Sequence, residues 1–320
     1  MQRHPGSQAA KSFAHTMTRV FLALALALVV NVHARASAIG VQNGNDPNLV
    51  VMTFNIRYGT ADDKEDNWVN RREMVYDVLR RHDPDLVGLQ EALRFQIDEI
   101  RAALPEYAEI GGGRDDGKTK GEYSAILYRQ DRMGLSDCGT FWLSDTPQTP
   151  GSITWGNACT RICTWGRFIV KDSGAAFYHF NTHLDHVSQP SREKAIVLIA
   201  RHIRDRVYPE PVLLTGDFNA GESNPIVRYL KGEQELPAAG SELAKNPTVL
   251  VDTFRVLHAN AREVGTFHSF NGDRTRDKID YIFALPGTKV LRAEILRDNV
   301  DNRYPSDHFP VMAVLCCTLR

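Results

Sequence analysis

Residues 213–219 read Leu-Leu-Thr-Gly-Asp-Phe-Asn, an apolar run that passes directly into polar residues. The apolar part predicts a buried strand at 212–215. Asp217 and Asn219 lie two positions apart, so in extended geometry their side chains face the same side. Gly216 leaves room for another backbone to approach closely. The segment therefore predicts a general base, Asp217, beside an amide that contacts phosphate or metal.

Three other segments follow the same pattern, with chemically capable side chains at the tip of a β-rich run: residues 53–57, 85–91 and 180–186. The candidate side chains are Asn55 in the first, Glu91 in the second and His183 in the third. Taken alone, each has an ordinary explanation as a turn residue, a helix-start acid or a structural histidine. Carboxylates, amides and imidazoles at strand ends can instead be projected together into one cleft that binds a hard cation and a phosphate.

The fifth segment is bipartite and comprises residues 277–283 and 305–310. It contains Asp280 in the first part and Asp307 with His308 in the second. A carboxylate beside an imidazole fixes the ring tautomer and supports its charged form. We therefore expect Asp280 to orient His308.

Apolar periodicity predicts alternating strands and helices from residue 49 onward. The predicted strands are 49–56, 85–90, 123–128, 177–182, 212–215, 278–284 and 311–315, and the predicted helices are 66–82, 93–104 and 191–207. Residues 115–121 and 147–158 are rich in Gly, Pro and polar residues and are expected to be loops. Such a mixture suggests two packed sheets with helices outside them.

The first 38 residues have the pattern of a secretory signal peptide. Basic residues precede a short apolar run at 20–32, and the small residues Ala36-Ser37-Ala38 follow it. The run is too short to span a bilayer comfortably, although a retained anchor is the alternative. We expect a signal peptide at 1–38, a loose mature N-terminus at 39–47, one domain at 48–320, and an exported protein without a stable membrane anchor.

The charge balance bears on the class of ligand. The full chain carries 38 Lys/Arg and 39 Asp/Glu, and residues 1–38 contain four of the bases and none of the acids. The mature chain would therefore have a net charge of −5. Nucleic-acid binders usually present a basic surface, so this charge argues against tight non-specific DNA binding, and nucleic acid is considered as a substrate only.

Five cysteines are present: Cys138, Cys159, Cys163, Cys316 and Cys317. Export would permit disulfides, and Cys159 could pair with Cys163, but spacing alone does not fix connectivity. The spacing does not suggest a zinc site. Structural cysteines are the favoured interpretation.

The five segments, in their order along residues 48–318, resemble the blocks of the endonuclease/exonuclease/phosphatase superfamily, which includes DNase I-like nucleases and phosphatases. The resemblance implies an α/β fold, a four-layer α-β-β-α sandwich with two central mixed sheets. It also implies that Asn55 and Glu91 bind Mg²⁺ or Mn²⁺ with Asp307 nearby. Asp217 would activate water, Asn219 and His183 would hold the phosphate, and His308, oriented by Asp280, would stabilise the transition state.

Within that superfamily the chain is similar to an exported bacterial branch, because of its segments 111–124, 139–144 and 161–165. Arg114, Tyr123 and Arg161 are candidate substrate contacts there, and Arg161 is suited to a second charged group of the substrate. A polar hairpin loop is the alternative for the first of these segments. Phe141, Trp142 and Trp165 are expected in the core.

We therefore expect a monomeric, exported, Mg²⁺- or Mn²⁺-dependent hydrolase of phosphate esters, acting on a small molecule or a polymer. An extracellular nuclease, a lipid head-group hydrolase and an inositol-phosphate or phosphorylated-glycan hydrolase remain alternatives. A non-catalytic binding module that retains the fold is the rival from another class.

Overall fold

Two six-stranded β-sheets pack face to face in the computed structural model, which describes residues 48–237 and 243–316. The expected signal peptide at 1–38, the loose N-terminus at 39–47 and Cys317 lie outside the described residues. Within the described part of the chain, no helix has the length and apolar character needed to cross a membrane.

The strands and helices alternate along the chain. The strands are β1 Asn48–Asn55, β2 Leu86–Gln90, β3 Tyr107–Ile110, β4 Ile126–Arg129, β5 Met133–Trp142, β6 Ile162–Val170, β7 Ala176–His183, β8 Val212–Asp217, β9 Leu236–Pro237, β10 Leu243–Ala244, β11 Val251–Asp252, β12 Asp280–Ala284, β13 Val290–Ile295 and β14 Val311–Cys316. The α-helices are α1 Trp68–His82, α2 Arg94–Ala103, α3 Gln189–Arg204, α4 Pro225–Leu230 and α5 Thr253–Leu257, and Lys64–Asp66 form a 3₁₀ turn.

Both large sheets are mixed. The first has the strand order β13-β14-β1-β2-β4-β3 and the second has the order β11-β12-β8-β7-β6-β5. The pairs β1–β2 and β7–β8 are parallel, whereas the neighbouring pairs are antiparallel. The carboxyl ends of the two central strands of each sheet therefore lie at one edge.

Three apolar clusters separate four layers. One lies between the sheets and joins residues such as Val51 and Leu213. A second packs α1 and α2 on the outer face of the first sheet, and a third packs α3 and α4 on the outer face of the second. The α-β-β-α sandwich with two central mixed sheets is therefore confirmed.

The inner faces of the central strands change from apolar to polar along their length. In β8, Leu213 belongs to the cluster between the sheets, and the next two inward positions are Thr215 and Asp217. In β7 the inward series runs from Phe177 through His179 and Asn181 to His183. Because strand side chains alternate between faces, each strand carries its polar residues to the same open edge.

A buried polar network joins the two sheets below that edge. The Asn181 side chain on β7 donates to the carbonyl oxygens of Leu89 (2.8 Å) and Ala125 (2.9 Å) in the first sheet. Its Oδ1 accepts from Gln90 Nε2 (2.7 Å) and from Thr215 Oγ1 (3.0 Å). Each of these side chains is fully buried, so the network fixes one sheet against the other.

The sequence located most central elements and missed the peripheral ones. The strand expected at 123–128 begins at Ile126, and the helix expected at 191–207 begins at Gln189, where Ser188 Oγ accepts from the backbone N–H of Ser191. Strands β5 and β6 were not predicted. The segment of β5 contains Gly, Ser and Asp, and its middle is exposed at the sheet edge, so it lacks apolar alternation.

Cys159 and Cys163 are not joined by the disulfide that export would permit. Cys163 is buried in β6, Cys159 is half-buried in the preceding loop, and both are free thiols. The open alternative of a bond between them is therefore not realised, and Cys163 takes the structural role that was favoured.

Replacement of Gly88 by Ala tests the inter-sheet network. A Cβ at Gly88 would lie 2.4 Å from both Asn181 Oδ1 and Thr215 Oγ1, which are held by their hydrogen bonds. We expect Gly88→Ala to lower the free energy of unfolding by about 2–3 kcal/mol, measured by urea denaturation. Gly134→Ala on β5 is the control, since its new Cβ meets only Ile169 O at 3.8 Å. Equal stability of the two variants would contradict this account of the network.

Candidate active site

The polar ends of the central strands open into a cleft of about 750 Å³. Its lining combines acids, bases and amides from distant parts of the chain. Eight of the residues expected from the sequence line it: Glu91, Arg114, Arg161, His183, Asp217, Asn219, Asp307 and His308. Glu91 and His308 thus lie on the same face of the molecule, as the catalytic hypothesis requires.

Asp217 lies at the end of β8, and its carboxylate is held on both oxygens. Asn55 Nδ2 donates to Oδ2 (3.0 Å) and the backbone N–H of Asn219 donates to Oδ1 (2.9 Å). Burial and the charge of Asp280 raise the pKa of Asp217 to about 7, although His308 and the hydrogen bonds act in the opposite direction. A carboxyl with a pKa near neutrality is well suited to accept a proton from water.

His308 and Asp280 form a buried pair beside Asp217. His308 Nδ1 lies 2.9 Å from Asp280 Oδ2, and Nε2 lies 3.7 Å from Asp217 Oδ2. Burial lowers the pKa of His308, but the charge and hydrogen bond of Asp280 and the charge of Asp217 outweigh it and raise the pKa to about 10. The ring is therefore a cation at neutral pH, with its Nε2–H facing the cleft. Asp280 itself lies beneath the cleft surface.

Asn55 connects the two carboxylates that surround it. Its Nδ2 donates to Glu91 Oε1 (3.0 Å) as well as to Asp217, and its Oδ1 accepts from the backbone N–H of Arg57 (3.0 Å). Asn55 is fully buried and lies below the cleft surface. The structure thus gives it a positioning contact to Glu91, and a direct contact to metal stays a prediction.

Arg57 is a cleft residue that the sequence reasoning did not single out, although it belongs to the segment 53–57. Its guanidinium donates to both carboxylate oxygens of Asp63 at 2.9 Å. It also lies 3.9 Å from Asp307 and 4.0 Å from Glu91. A basic residue two positions after Asn55 was the available signal, but sequence alone does not indicate which way it turns.

Glu91 and Asp307, two of the carboxylates expected at the metal, both line the cleft. Burial raises the pKa of Asp307 and the negative charge of Glu91 adds to this effect, whereas the positive charges of His308, Arg57 and Arg71 oppose it. Oxygen donors of this kind suit Mg²⁺ or Mn²⁺. Asp217, Asp280 and His308 also bring ligand atoms within 4.8 Å of one another and could hold a metal ion, but only when His308 is neutral.

His183 and Asn219 meet at the far side of Asp217. Asn219 Nδ2 donates to His183 Nε2 and to Leu184 O, both at 3.0 Å. Burial and the charge of Arg161 hold the pKa of His183 well below its usual value, so the ring is neutral. In this arrangement Nε2 accepts a hydrogen bond. The proton of the neutral ring then lies on Nδ1, which has no hydrogen-bond partner among the described residues. The expected donation from His183 to phosphate stays a prediction.

The three expected substrate contacts have different surroundings. Arg114 forms a two-bond pair with Glu122 (2.8 and 2.7 Å), and Arg161 is 4% exposed and lies 3.0 Å from His186 Nδ1 through Nη2. Tyr123 is buried, and its hydroxyl donates to Lys118 O (2.6 Å). Tyr123 is not among the residues that line the large cleft, although it lines a small cavity that shares Arg114 and Arg161 with it. Its contact with substrate stays a prediction.

Further residues line the cleft to which the sequence assigned no role. Glu122, Cys159 and His186 accompany the two arginines at one end. The other end is lined by Tyr58, Phe267 and Phe270, which belong to none of the five segments. The cleft therefore has a polar end and an aromatic end, with Asp217 and His308 between them.

Comparison with known proteins gives a consistent result. A sequence model of the endonuclease/exonuclease/phosphatase family matches residues 52–308, which include all the cleft residues. A solved endonuclease/exonuclease/phosphatase from Bacteroides vulgatus is 35% identical with a TM-score of 0.74, covering 84% of this chain and 98% of that one. A mannosyl-6-phosphatase from Bacteroides thetaiotaomicron is 35% identical with a TM-score of 0.72, covering 83% and 99%. Nocturnin from Drosophila melanogaster is 26% identical over 278 residues, covering 77% of this chain and 41% of that protein.

Titration of His308 tests the buried pair. In the metal-free protein we expect its imidazole to stay protonated until the pH approaches 10. Asp280→Asn removes the main cause that raises the pKa of His308, so the ring should lose its proton at a clearly lower pH. The measurement is ¹⁵N NMR of the imidazole, assigned with His308→Gln. The exposed Asp277→Asn is the control, and identical titration curves for the Asp280→Asn and Asp277→Asn variants would refute the pairing.

Proposed function

Because the chain belongs to the endonuclease/exonuclease/phosphatase family, whose members hydrolyse phosphoester bonds, we propose that it is a divalent-metal-dependent phosphoric ester hydrolase. The observation that carries the proposal is the cleft geometry. A buried carboxylate with a raised pKa, Asp217, faces the cationic His308. Both lie in the same cleft as Glu91 and Asp307.

Asp217 is proposed as the general base. Its carboxylate would accept a proton from a water molecule while the oxygen of that water attacks phosphorus. The bond from phosphorus to the leaving oxygen would break on the opposite side. Asn55 and the backbone of Asn219 fix the carboxylate oxygens, so little reorganisation is required before the reaction. With a pKa of about 7, Asp217 is unprotonated at slightly alkaline pH and still basic enough to accept the proton.

His308 is proposed to stabilise the charge that develops on phosphate. Its Nδ1 is held by Asp280 (2.9 Å), which leaves the Nε2–H available to a phosphate oxygen. A fixed, buried donor is more effective than water because it is already oriented when the charge appears. Asp280 acts through His308 and has no contact with the cleft.

The proposed metal is Mg²⁺ or Mn²⁺, in keeping with the general use of divalent ions by this family. Glu91 and Asp307 would hold it, and the ion would supply positive charge that polarises the phosphate and stabilises the leaving oxygen. Asn55 and the backbone N–H of Tyr58 keep the Glu91 carboxylate in place (3.0 and 3.1 Å). The alternative cluster of Asp217, Asp280 and His308 is less suitable, because His308 would have to lose its proton before it could bind a metal.

A small phosphate ester is the proposed substrate. The mannosyl-6-phosphatase of Bacteroides thetaiotaomicron is 35% identical and the match covers 99% of its chain, and this likeness supports a phosphatase more directly than the family fold alone does. An extracellular nuclease has less support, since the mature chain would be acidic. Assays with phosphate monoesters, DNA and RNA side by side would distinguish the two.

Export is proposed from residues 1–38 alone. Their basic start, short apolar run and small-residue site are typical of a cleaved signal. A fusion of residues 1–45 to a reporter enzyme that is active only outside the cytoplasm should be active. Replacement of two residues of the apolar run by Arg should abolish that activity. N-terminal sequencing of the exported protein would then distinguish a cleaved signal from a retained anchor.

Substitution of Asp217 tests the catalytic proposal. We expect Asp217→Asn to lower kcat for bis(p-nitrophenyl) phosphate by about 10²–10⁴-fold, because the amide cannot accept the proton. EDTA should abolish turnover by the wild type, and Mg²⁺ or Mn²⁺ should restore it. Asp77→Asn, on the exposed face of α1, is the control. Undiminished turnover in the Asp217→Asn variant, with an unchanged melting temperature, would remove Asp217 from the mechanism.

A further inference from the structure

The polar end of the cleft contains a buried arginine with unused hydrogen-bonding capacity. We call this end the polar wall and define it by Arg114, Glu122, Arg161 and His186. Arg161 is 4% exposed, and its Nη2 lies 3.0 Å from His186 Nδ1. Its Nε and Nη1 have no hydrogen-bond partner among the described residues. A buried donor without a partner lowers the stability of the folded protein, so an acceptor that bound these nitrogens would be stabilising.

A small cavity that shares four lining residues with the cleft offers room for such an acceptor. It has a volume of about 10 Å³ and is lined by Arg114, Glu122, Arg161 and His183, among others. His183 Nδ1 is also buried without a partner in the described part of the chain. A volume of this size admits about one oxygen atom with its hydrogens. Arg161 and His183 therefore both border a space for one oxygen that adjoins the catalytic site.

The charges of the polar wall indicate which acceptor is favoured. Arg114 is neutralised by Glu122 through two hydrogen bonds, and Arg161 lies 3.7 Å from the buried carboxylate of Asp185. Each guanidinium is matched by one carboxylate, so no net positive charge is left for a second phosphate. Fixed donors beside a fixed carboxylate instead suit hydroxyl groups, which both accept and donate.

A metal ion is a poor alternative at this end. Cys159, Asp185 and His186 bring ligand atoms within 4.8 Å of one another. The guanidinium of Arg161 lies against two of these residues, at 3.7 and 3.0 Å. Its positive charge would repel a cation there.

We propose that the polar wall is a hydroxyl-binding subsite for the leaving group, with Arg161 as its central donor, and that the preferred substrate is a phosphate ester of a sugar or another polyol. This inference rests on the proposed hydrolysis of phosphate esters. It assigns to Arg161 a specificity role in place of the contact to a second charged group that the sequence suggested.

Three phosphate esters distinguish recognition of hydroxyl groups from recognition of a second phosphate. A hexose 6-phosphate and n-hexyl phosphate share a primary alkyl phosphate but differ in hydroxyl groups, and a hexose 1,6-bisphosphate adds a second anion. The wild type should have a higher kcat/KM for the hexose 6-phosphate than for n-hexyl phosphate. In Arg161→Lys, which keeps the charge but loses the planar donor set, the ratio of these two values should fall about 10–100-fold.

Arg192→Lys is the matched control. Arg192 is similarly buried and donates to the backbone oxygen of Asp185 (2.7 Å), but it is not among the cleft-lining residues. The ratio should stay within about 3-fold of the wild type in this control, and melting temperatures should establish that both variants are folded. An equal fall in kcat/KM for hexose 6-phosphate and n-hexyl phosphate in Arg161→Lys would overturn the proposal. A higher kcat/KM of the wild type for the bisphosphate than for the hexose 6-phosphate would also overturn it.

Binding measurements keep the subsite testable apart from catalysis. Absence of turnover of all three esters by the wild type would contradict the proposed function. Calorimetric titration of the protein with each ester, in the presence of EDTA, then tests binding at the subsite without catalysis. Tighter binding of hexose 6-phosphate than of n-hexyl phosphate, lost in Arg161→Lys, supports it, and equal affinities overturn it.

Discussion

The Asn181 side chain ties the two sheets together directly beneath the catalytic cleft. Its amide donates to two backbone oxygens of the opposite sheet, Leu89 O and Ala125 O, while its oxygen accepts from Gln90 and Thr215. The space available is so small that position 88 holds no side chain. A face-to-face sheet pair held only by apolar contacts could slide, whereas directional bonds between fully buried groups define one register. The positions of Asp217 and Glu91, one on each sheet, depend on that register.

The electrostatics of the cleft follow from this fixed separation. Asn55 of the first sheet reaches Asp217 of the second at 3.0 Å and Glu91 at the same distance. His308, carried on the chain just before β14, meets Asp280 on β12. Asp217, Asp280 and His308 are nearly inaccessible to water, so each charge acts strongly on the next. The proton affinities that suit Asp217 to accept a proton and His308 to remain charged are thus consequences of how the sheets are joined.

The sequence predicted the core of the site better than its walls, for a physical reason. The strands that carry Asn55, Glu91, His183 and Asp217 are buried, so apolar runs identified them and motif order placed their tips together. Arg114 and Arg161 were expected only from the likeness to family segments. The loop that carries Phe267 and Phe270 has no periodicity, and its placement depends on contacts between distant segments. Tyr123 illustrates the limit, because its neighbour Glu122 enters the cleft while Tyr123 itself packs inward against Lys118 O. The register that Asn181 imposes could not be predicted either, since a buried amide has no distinguishing pattern in sequence.

Backbone strain at the strand tips gives the inter-sheet network its functional meaning. Arg57, Glu91 and Asn219 have φ values of 56°, 60° and 47°, a region that residues other than glycine rarely adopt. Each follows the end of an inner strand by one or two residues, at the place where the chain must turn while its side chain lines the cleft. Such a conformation costs on the order of 1–3 kcal/mol and persists only where the surroundings determine it fully. The hydrogen bonds of Asn55 to Glu91 and of Asn219 to His183 help to hold these residues in the strained conformation. The rigid connection between the sheets therefore keeps the catalytic side chains in positions that an isolated strand end would not maintain.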